Sequence, residues 1–231
     1  IIAGDGVEAL QLVRSHVPDI IVSDVMMPRM NGYKLCKTIK EDINISHIPV
    51  ILLTARDDRQ SQISGYKNGA DGYLSKPFEV EMLMELIRNR LKNREYTKKR
   101  YLNAGLIPTP EESTISLTDE TFLIKLNSII QENIENSNLG IQFICQEVGL
   151  GRSSLYNKLK ALTGMGANEY ISKLRIEKAI TLISGTDMPF SEIAEKTGFT
   201  TPSYFSTTFK QYTGETPSQY KERKKKGLTD Q

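Results

Sequence analysis

Tryptophan is absent from the 231 residues, and cysteine occurs only twice, at Cys36 and Cys145. Two distant thiols without a CxxC partner exclude a disulfide scaffold or a zinc module and suit a reducing compartment, so the expected location is cytoplasmic. No stretch approaches the roughly 18 unbroken apolar residues of a membrane span, and no membrane contact by this chain is expected. Low-complexity tracts are lacking apart from the basic cluster Lys221–Lys226. An initiator Met, a basic leader and a cleavage pattern are lacking too. The chain opens on Ile1-Ile2-Ala3, which reads as a strand entered midway and raises the expectation of a fragment of a longer protein. The composition, 39% hydrophobic and 25% charged, is that of one or two ordinary globular domains.

Charge is spread unevenly. Residues 1–92 carry 12 basic and 12 acidic side chains, residues 119–149 one and five, and residues 150–231 thirteen and eight. If the chain meets a polyanion, the contact belongs to its final third.

The first half alternates short apolar runs with amphipathic stretches. Strands are read at Ile20-Ile21-Val22 up to Asp24, at Val50–Leu53 up to Thr54, and at Gly72–Leu74 before Lys76-Pro77. Helices are read near 6–15, 32–41, 57–69 and 79–95. That alternation predicts βαβ units and a doubly wound parallel sheet, whose strands deliver chemistry at their carboxyl ends. From 94 to 118 the period fades, and Pro108-Thr109-Pro110 reads as an extended linker. Beyond it the period is helical throughout. Phe122, Leu123, Leu126, Ile129, Ile130 and Ile134 form one stripe, and Thr118-Asp119-Glu120 supplies a cap and favourable negative charge. The expected organisation is therefore 1–93, a linker at 94–118, an all-α domain at 119–226 and a tail at 227–231.

A carboxylate, a hydroxyl and an ammonium close three successive strands: Asp24, Thr54 and Lys76. Parallel strands bring such ends together. The set suits transient phosphorylation, with Asp24 as nucleophile, Thr54 and Lys76 holding phosphoryl oxygens, and a divalent metal offsetting the charge. Taken singly, each residue is better read as an ordinary polar strand end; taken together, the chemistry is the better reading.

Asp24-Val-Met-Met-Pro-Arg-Met-Asn-Gly32, Leu-Leu-Thr54-Ala-Arg and Gly69-Ala-Asp-Gly-Tyr73-Leu-Ser-Lys76-Pro77-Phe resemble the receiver domain of bacterial response regulators, over residues 1 to about 92. The resemblance implies that Asp24 is the phosphoacceptor, Thr54 the switch hydroxyl and Tyr73 an aromatic that turns inward with it. It further implies a phosphate-binding Lys76, a cis Lys76–Pro77 bond, and Mg²⁺ held by Asp24 and the backbone carbonyl of Met26. One departure matters. Receivers carry an acidic pair at the end of their first strand, and only 23 residues precede Asp24 here. Asp5 lies in a following loop and is no substitute, so Mg²⁺ binding is expected to be weak or absent. In the family's 2-1-3-4-5 strand order the missing strand would also leave a groove between Ile1–Ala3 and Ile20–Asp24.

The final third contains two helix-turn-helix patterns. One is Ile141–Val148, a Gly149-Leu150-Gly151 turn and Arg152–Leu162. The other is Ser191–Thr197, a Gly198-Phe199-Thr200 turn and Pro202–Thr213. A helix over Ala167–Ser184, roughly 27 Å long at ~1.5 Å per residue, joins them. Leu155, Leu159, Leu162, Phe205 and Phe209 are expected inward. Arg152, Ser153, Tyr156, Asn157 and Lys160 are left outward on the first unit, with Ser203, Ser206, Thr207 and Lys210 on the second. These side chains can read base edges or neutralise phosphate, and spacing alone leaves that reading even with plain solvated helix faces.

Arg175-Ile-Glu-Lys-Ala179 and Ile193-Ala194…Gly198-Phe199…Ser203-Tyr204-Phe205…Phe209-Lys210…Gly214-Glu-Thr-Pro217-Ser-Gln-Tyr220 closely resemble the AraC/XylS DNA-binding domain over about 119–224. Gly151 and Gly166-Ala167 depart from the capping residues common there. Lys221, Arg223, Lys224, Lys225 and Lys226 could neutralise phosphates, but a solvated, disordered tail is the better reading. His16 and His47 read as surface or loop residues without chemistry, and Met26, Met27 and Met30 as loop packing.

Together the resemblances imply a phosphorylation-regulated, sequence-specific transcription regulator rather than an enzyme. Its partners would be double-stranded DNA and a histidine kinase as phosphoryl donor, with pairing of two copies on repeated sites. The combination is also similar to the C-terminal end of hybrid two-component proteins. There a sensor kinase precedes the receiver in one chain, with its parent anchored in the inner membrane. In that alternative the receiver serves mainly as a phosphorelay station. A third alternative is a helical scaffold that never touches DNA.

Overall fold

Local capping sets the elements of the first half. The structure, a computed structural model, describes residues 1–55, 69–104 and 116–229, with side chains left out at 97–104 and 227–229. Helix α1 (Gly6–His16) starts where the Asp5 carboxylate accepts hydrogen bonds from the Val7 and Glu8 N–H groups, at 2.8 and 3.1 Å. Helix α2 (Gly32–Glu41) starts where the Asn31 side chain accepts from Lys34 N at 2.9 Å. Both caps satisfy donors that the first helical turn leaves open. Three short β-rich runs form β1 (Ile21–Asp24), β2 (Val50–Thr54) and β3 (Gly72–Ser75). They pair in parallel in the order β1-β2-β3, with Asp24 opposite Leu53 and Thr54 opposite Ser75. Leu35, Cys36, Ile39, Ile45, Ile48, Val50 and Leu52 are wholly buried and make the core of this α/β layer. The parallel sheet is the one the alternation predicted.

Helix α3 (Val80–Ala104) corrects the linker. It runs eleven residues into the stretch 94–118, because Arg94–Ala104 holds no Gly or Pro and is rich in helix-compatible Lys and Arg. Arg94 also donates to the Asp19 carbonyl at 3.2 Å. Residues 105–115, including Pro108-Thr109-Pro110, and most of the expected helix 57–69 lie outside the described residues. Ile1–Ala3 is not a strand either. Ile1 and Ile2 are exposed, and among the described residues β1 pairs with β2 alone. A strand exists only through the ladder it shares with a neighbour. A groove of about 610 Å³, lined among others by Ile2, Ala3, Ile21, Ser23 and Leu35, opens there.

The chain divides into two compact units, residues 1–123 with Asn157–Gly164, and residues 124–156 with 165–231. The helices that follow are α4 (Leu117–Glu132), α5 (Ile141–Val148), α6 (Arg152–Thr163), α7 (Ala167–Gly185), α8 (Phe190–Lys196), α9 (Pro202–Thr213) and α10 (Pro217–Thr229). Their borders agree closely with the periodicity. In the second unit Phe199, Phe205, Phe209 and Tyr220 form a chain of tilted and edge-to-face rings 5.3–5.7 Å apart, buried against Ile176, Ala179 and Ile193. The turn between α8 and α9 needs Gly198. Its φ is 71°, and a Cβ there would strike the Ile134 carbonyl oxygen and the Arg175 guanidinium.

The basic cluster is helical rather than disordered, and Glu222–Lys226 remain exposed. Thr216 and Gln219 form a capping box, with Thr216 N donating to Gln219 Oε1 at 2.9 Å and Gln219 N to Thr216 Oγ1 at 3.3 Å. Ion pairs from Lys221 to Asp187 (3.2 Å) and from Arg223 to Glu215 (2.7 Å) support the helix that follows. His47 is likewise no surface residue: it is 7% exposed in the loop between α2 and β2. His16 is exposed.

Candidate functional sites

The sheet brings the first constellation together by register alone. Asp24 ends β1 and Thr54 ends β2, while Lys76 follows β3 with its N–H donating to the Thr54 carbonyl at 2.6 Å. The Lys76 ammonium donates to Asp24 Oδ2, and Met26 N donates to Asp24 Oδ1 at 3.1 Å. Partial burial works to raise the Asp24 pKa, but the Lys76 ammonium and the Met26 N–H outweigh it and hold the carboxyl below its ordinary value. Asp24 is therefore an ionised, solvent-reachable carboxylate at neutral pH, its side chain 36% exposed. Thr54 is buried at the next strand end. Tyr73 is half-buried, its hydroxyl 3.2 Å from that of Tyr33. The Lys76–Pro77 bond is cis, with Pro77 exposed.

Magnesium fits this donor set poorly. Asp24 supplies one carboxylate and Met26 one carbonyl, whereas Mg²⁺ takes a near-octahedral oxygen shell. Asp5 caps α1 and is paired with Arg29. Among the described residues no three His, Cys, Asp or Glu side chains group together.

The second constellation lies on α6 and α9. Leu155, Leu159, Leu162, Phe205 and Phe209 are buried. Arg152, Ser153, Tyr156, Asn157, Lys160, Ser203, Thr207 and Lys210 are exposed, and Ser206 is half-exposed. Two features escaped the sequence reading. Tyr204, beside Ser203 on α9, is 53% exposed and offers a large amphipathic surface. Lys158 is wholly buried; its signal was its place three residues after Leu155, on the apolar stripe.

Residues 2–88 match the model of the response regulator receiver domain, and residues 144–223 that of a helix-turn-helix domain. A probable transcriptional regulator, ycf29 of Pyropia yezoensis, is 31% identical over 179 residues, 73% of this chain and 81% of the relative. The chain belongs to the response regulators. Its second domain is of the AraC type. A receiver joined to such a domain is the plan of a phosphorylation-regulated, DNA-binding transcription regulator. Histidine kinase P4 of Formosa agariphila is 42% identical over 96% of the chain, which spans only 16% of that longer protein. A crystal structure of an AraC-type transcriptional regulator from Chromobacterium violaceum is 26% identical over 46% of this chain and 93% of its own, with a TM-score of 0.43.

Proposed function

We propose that this response regulator takes a phosphoryl group on Asp24 and reads duplex DNA with α6 and α9. The phosphoryl donor is a phosphohistidine of a histidine kinase. Its N–P bond breaks as an Asp24 carboxylate oxygen forms the new O–P bond, and the histidine nitrogen keeps the electron pair. Lys76, already paired with Asp24, is placed to hold a phosphoryl oxygen, and Thr54 at the adjoining strand end to hold another. Loss of the present Asp24–Lys76 pairing is then the local event that biases the receiver between two populations, with Tyr73 following Thr54. The observation that carries this reading is that pairing beside a buried Thr54.

On the DNA side, Asn157, Ser203, Ser206 and Thr207 are assigned to base edges. Arg152, Lys160 and Lys210 are assigned mainly to phosphates, and Ser153 and Tyr156 to either. Pairing of two copies on repeated sites is part of the proposal. So is a cytoplasmic setting, to which the two buried free thiols are suited. The likeness to a long histidine kinase supports a second reading of the parent protein, a hybrid in which kinase and receiver share one chain and Asp24 is a relay station.

Gel shifts of the whole chain at stepped salt test the DNA half. Binding is expected to weaken steeply with salt. Lys210→Ala should lower the slope of log K against log salt by about 1, whereas Asn157→Ala or Thr207→Ala should relax base preference by about 1–3 kcal/mol. Binding without salt dependence or base preference would leave the scaffold reading instead. For the metal, isothermal titration of Mg²⁺ is expected to show no micromolar affinity; a micromolar site would overturn the assignment of a deficient donor set.

A further inference from the structure

Lys158 is an anomaly on α6. It has no exposed surface, yet it belongs to a helix whose outward residues include Tyr156, Asn157 and Lys160. Its ammonium donates to Asp119 Oδ1 and, at 2.8 Å, to Ser46 Oγ, and it stands 5.1 Å from the Phe122 ring. Ser46 in turn donates to Asp119 Oδ1 at 2.7 Å. Burial opposes ionisation of Asp119, but the Lys158 ammonium together with the Ser46 and Ser116 hydrogen bonds outweighs it and keeps the carboxyl below its usual range.

These three groups are drawn from distant stretches of the first unit. Ser46 lies in the loop after α2, Asp119 in the first turn of α4, and Lys158 in the middle of α6. A second hydrogen bond repeats the link, with Thr118 Oγ1 donating to the Lys40 carbonyl in the last turn of α2 at 2.9 Å. The opposite end of α2 rests on the phosphoacceptor. Gly32 N donates to the Val25 carbonyl at 3.0 Å, and a Cβ at Gly32 would strike the Asp24 carbonyl oxygen. One ten-residue helix therefore reaches from the backbone of Asp24 to this buried cluster.

A buried ion pair is a poor source of net stability, because desolvation consumes most of the Coulombic gain; in some proteins such a pair instead fixes one geometry against others. We propose that Ser46, Asp119 and Lys158 form a latch that restrains α6 and holds the chain in its weaker DNA-binding state. This rests on the assignment of α6 to DNA. Ser46 is the releasable member. Asp119 and Lys158 satisfy each other without it, whereas their side-chain link to Ser46 is lost when its hydroxyl goes, leaving among the described residues only the Thr118–Lys40 bond between α4 and α2.

The test uses the whole chain with Ser46→Ala and Ser46→Thr, read by amide hydrogen exchange over Asn157–Gly164 and by gel shift at fixed salt. Ser46→Ala is expected to speed exchange in that stretch at least tenfold and to tighten DNA binding several-fold. Ser46→Thr, which keeps the hydroxyl, should restore both to wild-type values. Unchanged exchange in Ser46→Ala overturns the latch, and so does faster exchange with unaltered affinity. If neither the wild type nor the variants bind DNA, the assignment of α6 to DNA falls, and the restraint stands or falls on exchange alone.

Discussion

Stability of the first unit is expected to fall as the pH drops from about 6.5 towards 4, and a His47→Gln variant is expected to lose that slope. Burial, reinforced by the nearby Lys158 ammonium, pushes the His47 pKa down from 6.5 to about 3. The sign follows from which state binds the proton. Below 6.5 the unfolded chain protonates this imidazole while the folded chain does not, so acid favours unfolding. Stability from this group is complete above 6.5 and is lost as the pH falls towards 3. Each unit within the window costs about 1.4 kcal/mol, so on the order of 3 kcal/mol is lost by pH 4. Asp5, Asp24, Asp42 and Asp119 have lowered pKa values and add their own losses only below about 4. The window above 4 thus isolates His47. Amide exchange of Val50 and Ile51, wholly buried strand residues beside the loop that carries His47, reports it. A slope that survives in His47→Gln would show that His47 does not supply it.

Phe205→Ala is expected to cost the second unit about 3–5 kcal/mol. The ring is wholly buried, 5.3 Å from Phe199 and 5.7 Å from Phe209, so its removal empties the centre of the aromatic chain. At roughly 4–8 °C per kcal/mol for a domain of this size, the melting transition should move down by on the order of 12–40 °C. Its neighbour Tyr204 is 53% exposed, and Tyr204→Ala should stay within about 1 kcal/mol. Near-ultraviolet circular dichroism during thermal unfolding reads both. Equal losses from the two variants would show that the inward and outward faces of α9 are misassigned.

That split between faces was legible beforehand. Phe205 and Phe209 sit four apart and Ser203 and Thr207 four apart, and a 3.6-residue period sends the two pairs to different sides. Asp24, Thr54 and Lys76 were legible for a related reason: consecutive parallel strands carry their carboxyl ends to one side. Ile1–Ala3 misled because its composition is that of a strand, while a strand also requires a partner. The basic run at 221–226 misled because its charge suggested a disordered tail. The Thr216–Gln219 capping box and Asp187, thirty-four residues upstream of Lys221, make it a helix. Arg94–Ala104 misled because the apolar period fades there, although the stretch holds no Gly or Pro to end the helix.

Periodicity and turn chemistry, both local properties, determined the order and borders of most elements, the parallel sheet and the outward faces of α6 and α9. The tertiary structure decided the surroundings of single polar residues. Lys158 lies on an apolar stripe where sequence offers no partner for an ammonium, and only folding brings Asp119 and Ser46 to it. His47 is an ordinary loop histidine until the packed first unit removes it from water. The physical reason is the same for both: a hydrogen-bond partner and a dielectric environment are properties of space, supplied by residues tens of positions away, and no local period encodes them.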